Sequence, residues 1–266
     1  MTIGVPLDRR AFLARPIAHR GLHDAAAGVV ENTAPAFEAA VRASFGIECD
    51  LRPAAGATPV VFHDQTLERL TGDPRLVAEV SSTSLARLRH TGTDAGVMTF
   101  RELLDIVGGR QPIFAEIKSE WAAPDPAFLT EIARAAIDYR GPLALMSFDP
   151  DVMTVMRELA TEIPRGIVSG SYRAAAGDAW WEAIIGRERA ERLALLLESA
   201  GAAPSFYAYE IGALPTSVTR YVRAVDRLPL LAWTVRKPAD WDVVAAHADQ
   251  AIFEGPVPDQ LRLARS

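Results

Sequence analysis

Nine short apolar runs, most of them separated by amphipathic helical stretches, set the architecture of this 266-residue chain. The runs are Pro16–His19, Gly46–Leu51, Pro59–His63, Pro112–Lys118, Leu143–Phe148, Gly166–Ser169, Phe206–Ile211, Leu230–Val235 and Gln250–Phe253. Helical periodicity predicts helices over Ala34–Ser44, Phe100–Val107, Ala127–Tyr139, Pro150–Leu159, Trp180–Glu198, Val218–Ala224 and Pro238–His247. Strand and helix in alternation point to a mostly parallel sheet covered by helices.

One gap decides the strand count. Only seven residues separate Leu51 from Pro59, too few for a parallel crossover, which takes about a dozen. Pro59–His63 is therefore read as a hairpin-like excursion, and eight strands remain. That is the number a closed TIM (β/α)8 barrel needs, and its usual size of about 250 residues suits this length. The runner-up is an open doubly wound sheet. Against it, the chain carries neither GxGxxG nor a Walker-type loop after an early strand. The expectation is one α/β barrel domain over residues 1–266, with a small insertion after the second strand, around 65–96.

Composition narrows the function classes. Lys and Arg total 28 against 34 for Asp and Glu, a net charge of −6, which argues against general nucleic-acid binding. The single cysteine, Cys49, permits no intramolecular disulfide and no thiolate metal cluster. No stretch reaches the roughly 18 uncharged apolar residues of a membrane span. The N-terminal MTIGVPLDRR has no apolar leader core. The expectation is a cytoplasmic protein without stable membrane insertion, its oligomeric state left open.

The chemistry gathers at strand ends. Glu48 and Asp50 are one residue apart inside a strand pattern, so period two places both on one face. They sit near the strand's C-terminal end, where barrel active sites are built. Two carboxylates side by side repel unless a positive charge lies between them, and a hard divalent cation takes oxygen ligands. Glu116 and Lys118 repeat the spacing at the end of another strand. His19 and His63 each follow a short apolar run, and a histidine pair suits general acid and base work. Arg20, next to His19, can grip an anion bidentately. A divalent metal, an Arg, a Lys and two His at one mouth describe a phosphoryl-transfer or phosphodiester-cleaving centre.

These residues lie in an ordered set of motifs. The set runs HRG (His19–Gly21), ENT (Glu31–Thr33), ExD (Glu48, Asp50), PVVFHDQTLERLTG (Pro59–Gly72), EIK (Glu116–Lys118), MSFDP (Met146–Pro150) and WTV (Trp233–Val235). In order and spacing it resembles the glycerophosphodiester phosphodiesterase family, bacterial type, from about Pro16 to Gly255. The resemblance implies a TIM barrel that hydrolyses glycerophosphodiesters to glycerol 3-phosphate and an alcohol. It implies a divalent cation (Mg²⁺ or Ca²⁺, with Mn²⁺ as a third candidate) on Glu48, Asp50 and Glu116. It makes His19 the general base and His63 the general acid, sets Arg20 and Lys118 on the phosphate, and puts Trp233 beside the glycerol. The implied partner is a small-molecule glycerophosphodiester. Two other functions stay open: a phospholipase D-like enzyme acting on a lysolipid or sugar phosphodiester, and a non-catalytic phosphodiester-binding protein.

Several residues receive plainer readings. Thr33 is expected to cap the helix that follows it, and Glu31 to sit beside the metal or Arg20. Asp64 is read as turned away or as steadying its loop, and Cys49 as a small buried residue behind the ExD face. His23, His90 and His247 are expected at the surface. Ser147, Phe148, Trp121, Tyr207, Tyr209 and Glu210 are candidates for the pocket and its lip. Ser171–Gly201 reads as an ordinary barrel helix with a lead-in loop, or more sharply as a lid or dimer surface with Trp180 and Trp181 as contacts. Glu254 stands where similar sequences carry Asp, which implies a changed final loop.

Overall fold

The computed structural model describes residues 4–172 and 180–259, with the side chains of 180–182 outside the description. The Trp180–Trp181 contact expected of a lid therefore lies outside the described residues.

The strands, in chain order, are β1 (Ile17–Ala18), β2 (Gly46–Pro53), β3 (Pro59–Val61), β4 (Ile113–Ile117), β5 (Leu143–Ser147), β6 (Arg165–Ser169), β7 (Phe206–Glu210), β8 (Leu230–Val235) and β9 (Gln250–Phe253). Their order in the sheet is β1-β9-β8-β7-β6-β5-β4-β2-β3, and a β1–β2 pairing closes it. Eight strands thus form a closed parallel barrel. The odd one out is β3, which pairs antiparallel with the end of β2 through Leu51↔Val61, Arg52↔Val60 and Pro53↔Pro59. The short gap between Leu51 and Pro59 leaves the chain no other course.

Period two divides the strand residues between two cores. Outward residues such as Ile47, Cys49, Leu51, Ala115 and Ile117 pack with Phe37, Leu103 and Ile132 of the covering helices. Inward residues near the N-terminal ends, among them Ile17, Phe114, Ala144, Phe206 and Leu231, fill the barrel floor with Leu7 and Phe12. Phe114 sits edge-on to both Phe12 and Phe206, at 5.6 and 5.4 Å between ring centres. Gly166 makes room for this stack, because a Cβ there would lie 2.3 Å from the Phe206 ring. With an apolar floor sealing one end, the polar inward residues are left to the other end, the mouth.

Between β3 and β4 the chain folds over the β2–β3 hairpin around a small core of its own, including Phe62, Leu67, Val77, Val80 and Leu85. His90 belongs to this region and is only 2% exposed. Its ring stacks on Phe62 at 6.1 Å and 12°. The surface position expected for it is therefore wrong. Phe62, the ring it stacks on, lies 28 residues upstream and is invisible to local pattern.

Two helices also depart from expectation. The long helix starting at Trp180 ends at Ala194 and is broken at Gly186, whose φ of 73° and ψ of 157° no helix accommodates. The pattern at Val218–Ala224 resolves into a helix over Ser217–Tyr221 and a wider π turn over Val222–Asp226. No helix among the described residues is long and apolar enough to cross a membrane.

Candidate active site

A cavity of about 720 Å³ opens over the barrel mouth, within the usual range for small-molecule sites. His19, Arg20, Glu48, His63, Glu116, Lys118 and Trp233 all line it. Asp50 lies just beneath, fully buried. The eight residues expected in catalytic, metal-holding or substrate-binding roles thus converge on one place.

The register of β2 on β4 brings the acidic groups together, with Asp50 directly across from Glu116. Carboxylate oxygens of Glu48, Asp50 and Glu116 lie within 4.8 Å of one another. Lys118 Nζ reaches Asp50 Oδ1 at 2.7 Å and Glu116 Oε1 at 2.5 Å. Arg20 approaches Asp50 Oδ2 with Nε at 3.4 Å and donates its backbone N–H to Glu48 Oε2 at 2.9 Å. Burial pushes Asp50 up, but Lys118, His63 and Arg20 outweigh it and hold the carboxyl well below the usual range. Burial pulls Lys118 down, yet Asp50 and Glu116 keep it charged and raise it.

Glu48 is the group these cations do not satisfy. Its Oε1 is buried without a hydrogen-bond partner among the described residues. Burial, then the charges of Asp50 and Glu116, push its carboxyl well above the ordinary value. Three carboxylates outnumber the two cations that touch them. A buried charge is costly unless paired, and an all-oxygen donor set suits a hard divalent cation. The residues present therefore fit such an ion, and Glu48, Asp50 and Glu116 are the ones that could hold it. With such an ion bound, these three carboxylates and two cations would together carry a net positive charge instead of a net negative one.

Each histidine is fixed by a carboxylate. His19 Nδ1 lies 2.5 Å from Glu254 Oε1, and its Nε2 is 3.7 Å from Glu48 Oε2. A carboxylate only accepts, so Nδ1 carries the proton and Nε2 is left with a lone pair. Burial lowers the His19 pKa below the usual value, against the hydrogen bond to Glu254. His63 Nδ1 meets Asp64 Oδ1 at 2.7 Å, and this ring keeps a third of its side chain exposed, at 33%. Asp64 therefore steers the His63 ring rather than turning away.

The HRG and ENT motifs brace each other. Gly21 has a φ of 79°, and a Cβ on it would lie 2.9 Å from Ala36, so only glycine fits against that helix. Glu31 Oε1 accepts from Arg20 Nη1 at 2.8 Å, as one of its two expected placements requires. Asn32 donates through Nδ2 to Asp50 Oδ2 at 2.7 Å and receives the Asp50 backbone N–H at 3.4 Å. Sequence reading gave Asn32 no such part. Thr33 stands at the helix start, but its hydroxyl donates back to the Val30 carbonyl at 2.6 Å and caps nothing.

At the lip, Trp233 Nε1 donates to the Ser169 carbonyl at 3.1 Å, and its ring meets Phe148 edge-on at 5.2 Å. Ser147, Phe148, Trp121 and Glu210 line the cavity as expected. Tyr207 and Tyr209 do not, because both point outward into the core behind the barrel.

Comparison with known proteins bears on this site. Residues 19–253 match the profile of the glycerophosphoryl diester phosphodiesterase family. The rat protein glycerophosphodiester phosphodiesterase 1 (Rattus norvegicus) is 31% identical over 171 residues, covering 58% of this chain and 50% of the rat protein. The match thus spans about half the length of that curated relative. An Oleispira antarctica phosphodiesterase, solved with the product sn-glycerol-3-phosphate, superposes with a TM-score of 0.67 at 19% identity, covering 91% of this chain and 93% of that one. A Thermotoga maritima glycerophosphodiester phosphodiesterase gives 0.63 at 23% identity, with 90% and 94% covered. One from Parabacteroides distasonis gives 0.67 at 17% identity, with 92% and 94% covered. At such identities the structural likeness is one of fold.

Proposed function

Because the chain belongs to the glycerophosphoryl diester phosphodiesterase family, we propose that it hydrolyses glycerophosphodiesters to glycerol 3-phosphate and an alcohol, with a divalent cation as cofactor. The observation that carries the reading is the buried Glu48–Asp50–Glu116 cluster flanked by two carboxylate-held histidines in one cavity.

Glu48, Asp50 and Glu116 would hold a divalent cation, which would supply Lewis acidity at the phosphate. Mg²⁺ and Ca²⁺ suit the oxygen donors, with Mn²⁺ as a third choice. Arg20 and Lys118 hold the phosphate and stabilise its oxygens as charge develops. The nucleophile, a water or the substrate's glycerol 2-hydroxyl, gives its proton to His19 Nε2 as its oxygen bonds to phosphorus. His63 Nε2 protonates the departing alkoxide as the other P–O bond breaks, and its exposure lets it take a new proton from solvent. Attack by the 2-hydroxyl yields a cyclic phosphate, which water then opens. Trp233 and Phe148 offer an apolar wall for the carbon skeleton. The burial of His19, which favours its neutral form, supports it as base over His63.

A lysolipid substrate is the second reading, supported by Ile184, which lines the cavity and is 55% exposed. The buried, unpaired Cys49 suits the reducing cytoplasm, where we place the protein.

The test is release of glycerol 3-phosphate from glycerophosphocholine and glycerophosphoethanolamine with EDTA, Mg²⁺, Ca²⁺ or Mn²⁺. Release that requires a metal supports the proposal. A folded protein inactive with every metal on both substrates overturns it, and release of choline from lysophosphatidylcholine by that protein establishes the second reading.

A further inference from the structure

Arg69 lies in the short helical turn Glu68–Thr71, in the segment that follows His63. Its guanidinium bridges two carboxylates from separate parts of the chain. Towards Asp64, Nε donates to Oδ2 at 2.5 Å and Nη2 to Oδ1 at 3.2 Å. Towards Glu31, Nη2 donates to Oε1 at 2.7 Å and Nη1 to Oε2 at 3.1 Å. Each carboxylate has a second task. Asp64 Oδ1 holds His63 Nδ1 at 2.7 Å, and Glu31 Oε1 holds Arg20 Nη1 at 2.8 Å.

We propose that Arg69 is a positioning residue that sets the leaving-group acid, His63, and the phosphate-holding Arg20 in one frame. The proposal rests on the phosphodiesterase reading given above. Arg69, Asp64 and Glu31 stand behind the cavity wall rather than in it, so Arg69 acts through its two carboxylates and not on substrate. Without the guanidinium, Asp64 and Glu31 are like charges facing each other, and the rings and forks they hold lose their reference. The planar fork matters as much as the charge. Three nitrogens address four oxygens on two edges, which the single ammonium of lysine cannot do. The insertion after β3 thus has a definite use. It carries one side chain back to the mouth and ties the HD and ENT motifs together, although 38 residues separate Arg69 from Glu31.

The experiment compares wild type, Arg69→Lys and Arg69→Ala on two substrates, glycerophosphoethanolamine and a p-nitrophenyl phosphodiester, with thermal unfolding measured in parallel. Nitrophenolate leaves without help from an acid, and an alkoxide does not. The expected result is a kcat loss of about 10- to 100-fold on glycerophosphoethanolamine, the range seen when a supporting partner of a site is removed. The loss on the nitrophenyl ester is smaller, KM rises on both through Arg20, and Arg69→Lys restores little. Arg69 is 47% exposed, so added methylguanidinium can enter the vacated place and is expected to restore part of the Arg69→Ala rate.

Equal losses on both substrates, without methylguanidinium rescue and in step with a lowered Tm, overturn the positioning role. If Arg69→Ala does not fold, the substrate ratio for Arg69→Lys decides alone. A metal-loaded wild type inactive on both substrates overturns the phosphodiesterase reading, and this role with it.

Discussion

His19 Nδ1 is held by Glu254 Oε1 at 2.5 Å, although 235 residues separate the two in the chain. The contact exists because the barrel closes. His19 follows β1, Glu254 follows β9, and the two strands pair through Ile17↔Ile252 and Ala18↔Phe253. Arg236, just after β8, donates to both Glu254 oxygens at 2.8 and 3.1 Å. The carboxylate is thereby fixed in orientation before it fixes the ring.

With His19 as the base proposed above, Glu254→Gln is expected to lower kcat about 10- to 100-fold, part of the 10²–10⁴ that a general base supplies, with little change in metal affinity. The amide can offer the ring either an oxygen or an N–H, so the Nδ1–H tautomer is no longer enforced. Steady-state kinetics with a metal titration checks this. An unchanged kcat would remove Glu254 from the mechanism. Stability carries a second signature. Burial raises the Glu254 pKa, but His19 and Arg236 bring it down to about 2 from 4.5. A carboxyl with a depressed folded pKa contributes stability above its unfolded pKa and loses it as pH falls towards the folded value. The Tm of wild type should therefore drop more steeply than that of Glu254→Gln between pH 4.5 and about 2.

Glu48→Gln separates charge from shape at the acidic cluster. Without metal, the wild-type site holds one carboxylate too many, so the neutral amide is expected to raise the Tm of the metal-free protein. With saturating Mg²⁺ or Ca²⁺ the order reverses, because wild type gains the larger binding free energy from the ion. Activity with metal should fall to near background. Differential scanning calorimetry with and without EDTA reads both effects, and a variant less stable than wild type in EDTA would contradict the charge argument.

The sequence made legible whatever repeats over short range. Every barrel strand shows as a short apolar run, and period two alone places Glu48 with Asp50 and Cys49 behind them. The residues it hid are those whose partners lie on another element of the chain. Glu254 shows only as a departure in the last loop, and Asn32 as a residue before a helix. Arg69 passes for one more surface charge in LERLTG. For Asp64 the adjacent His63 was a usable signal, since a carboxylate one residue away can reach Nδ1. For Asn32 the signal is its left-handed φ of 56°, a strained value that only coordinates reveal.

His63→Ala should leave metal affinity intact and cost about 10²–10⁴ in rate on glycerophosphocholine, whose leaving alkoxide needs a proton. On a p-nitrophenyl phosphodiester the same variant should lose much less. His19→Ala should slow both substrates alike, because a base is needed for either. Equal losses for His63→Ala on the two substrates would reverse or dissolve the assignment of acid and base.

The barrel floor offers a test of packing apart from chemistry. Phe206→Ala removes a fully buried ring from the stack with Phe114, and such truncations cost about 3–5 kcal/mol. Gly166→Ala drives a methyl into the same ring, at 2.3 Å from its edge, and overpacking costs about 1–3 kcal/mol. The two changes act on one space from opposite sides. In the double variant the new methyl enters the volume that Phe206 vacates, so its loss should be smaller than the two single losses combined. Urea unfolding of the four proteins gives the coupling directly. Additive losses would mean that the cost of Gly166→Ala does not come from the Phe206 ring, and that Gly166 is not required by it.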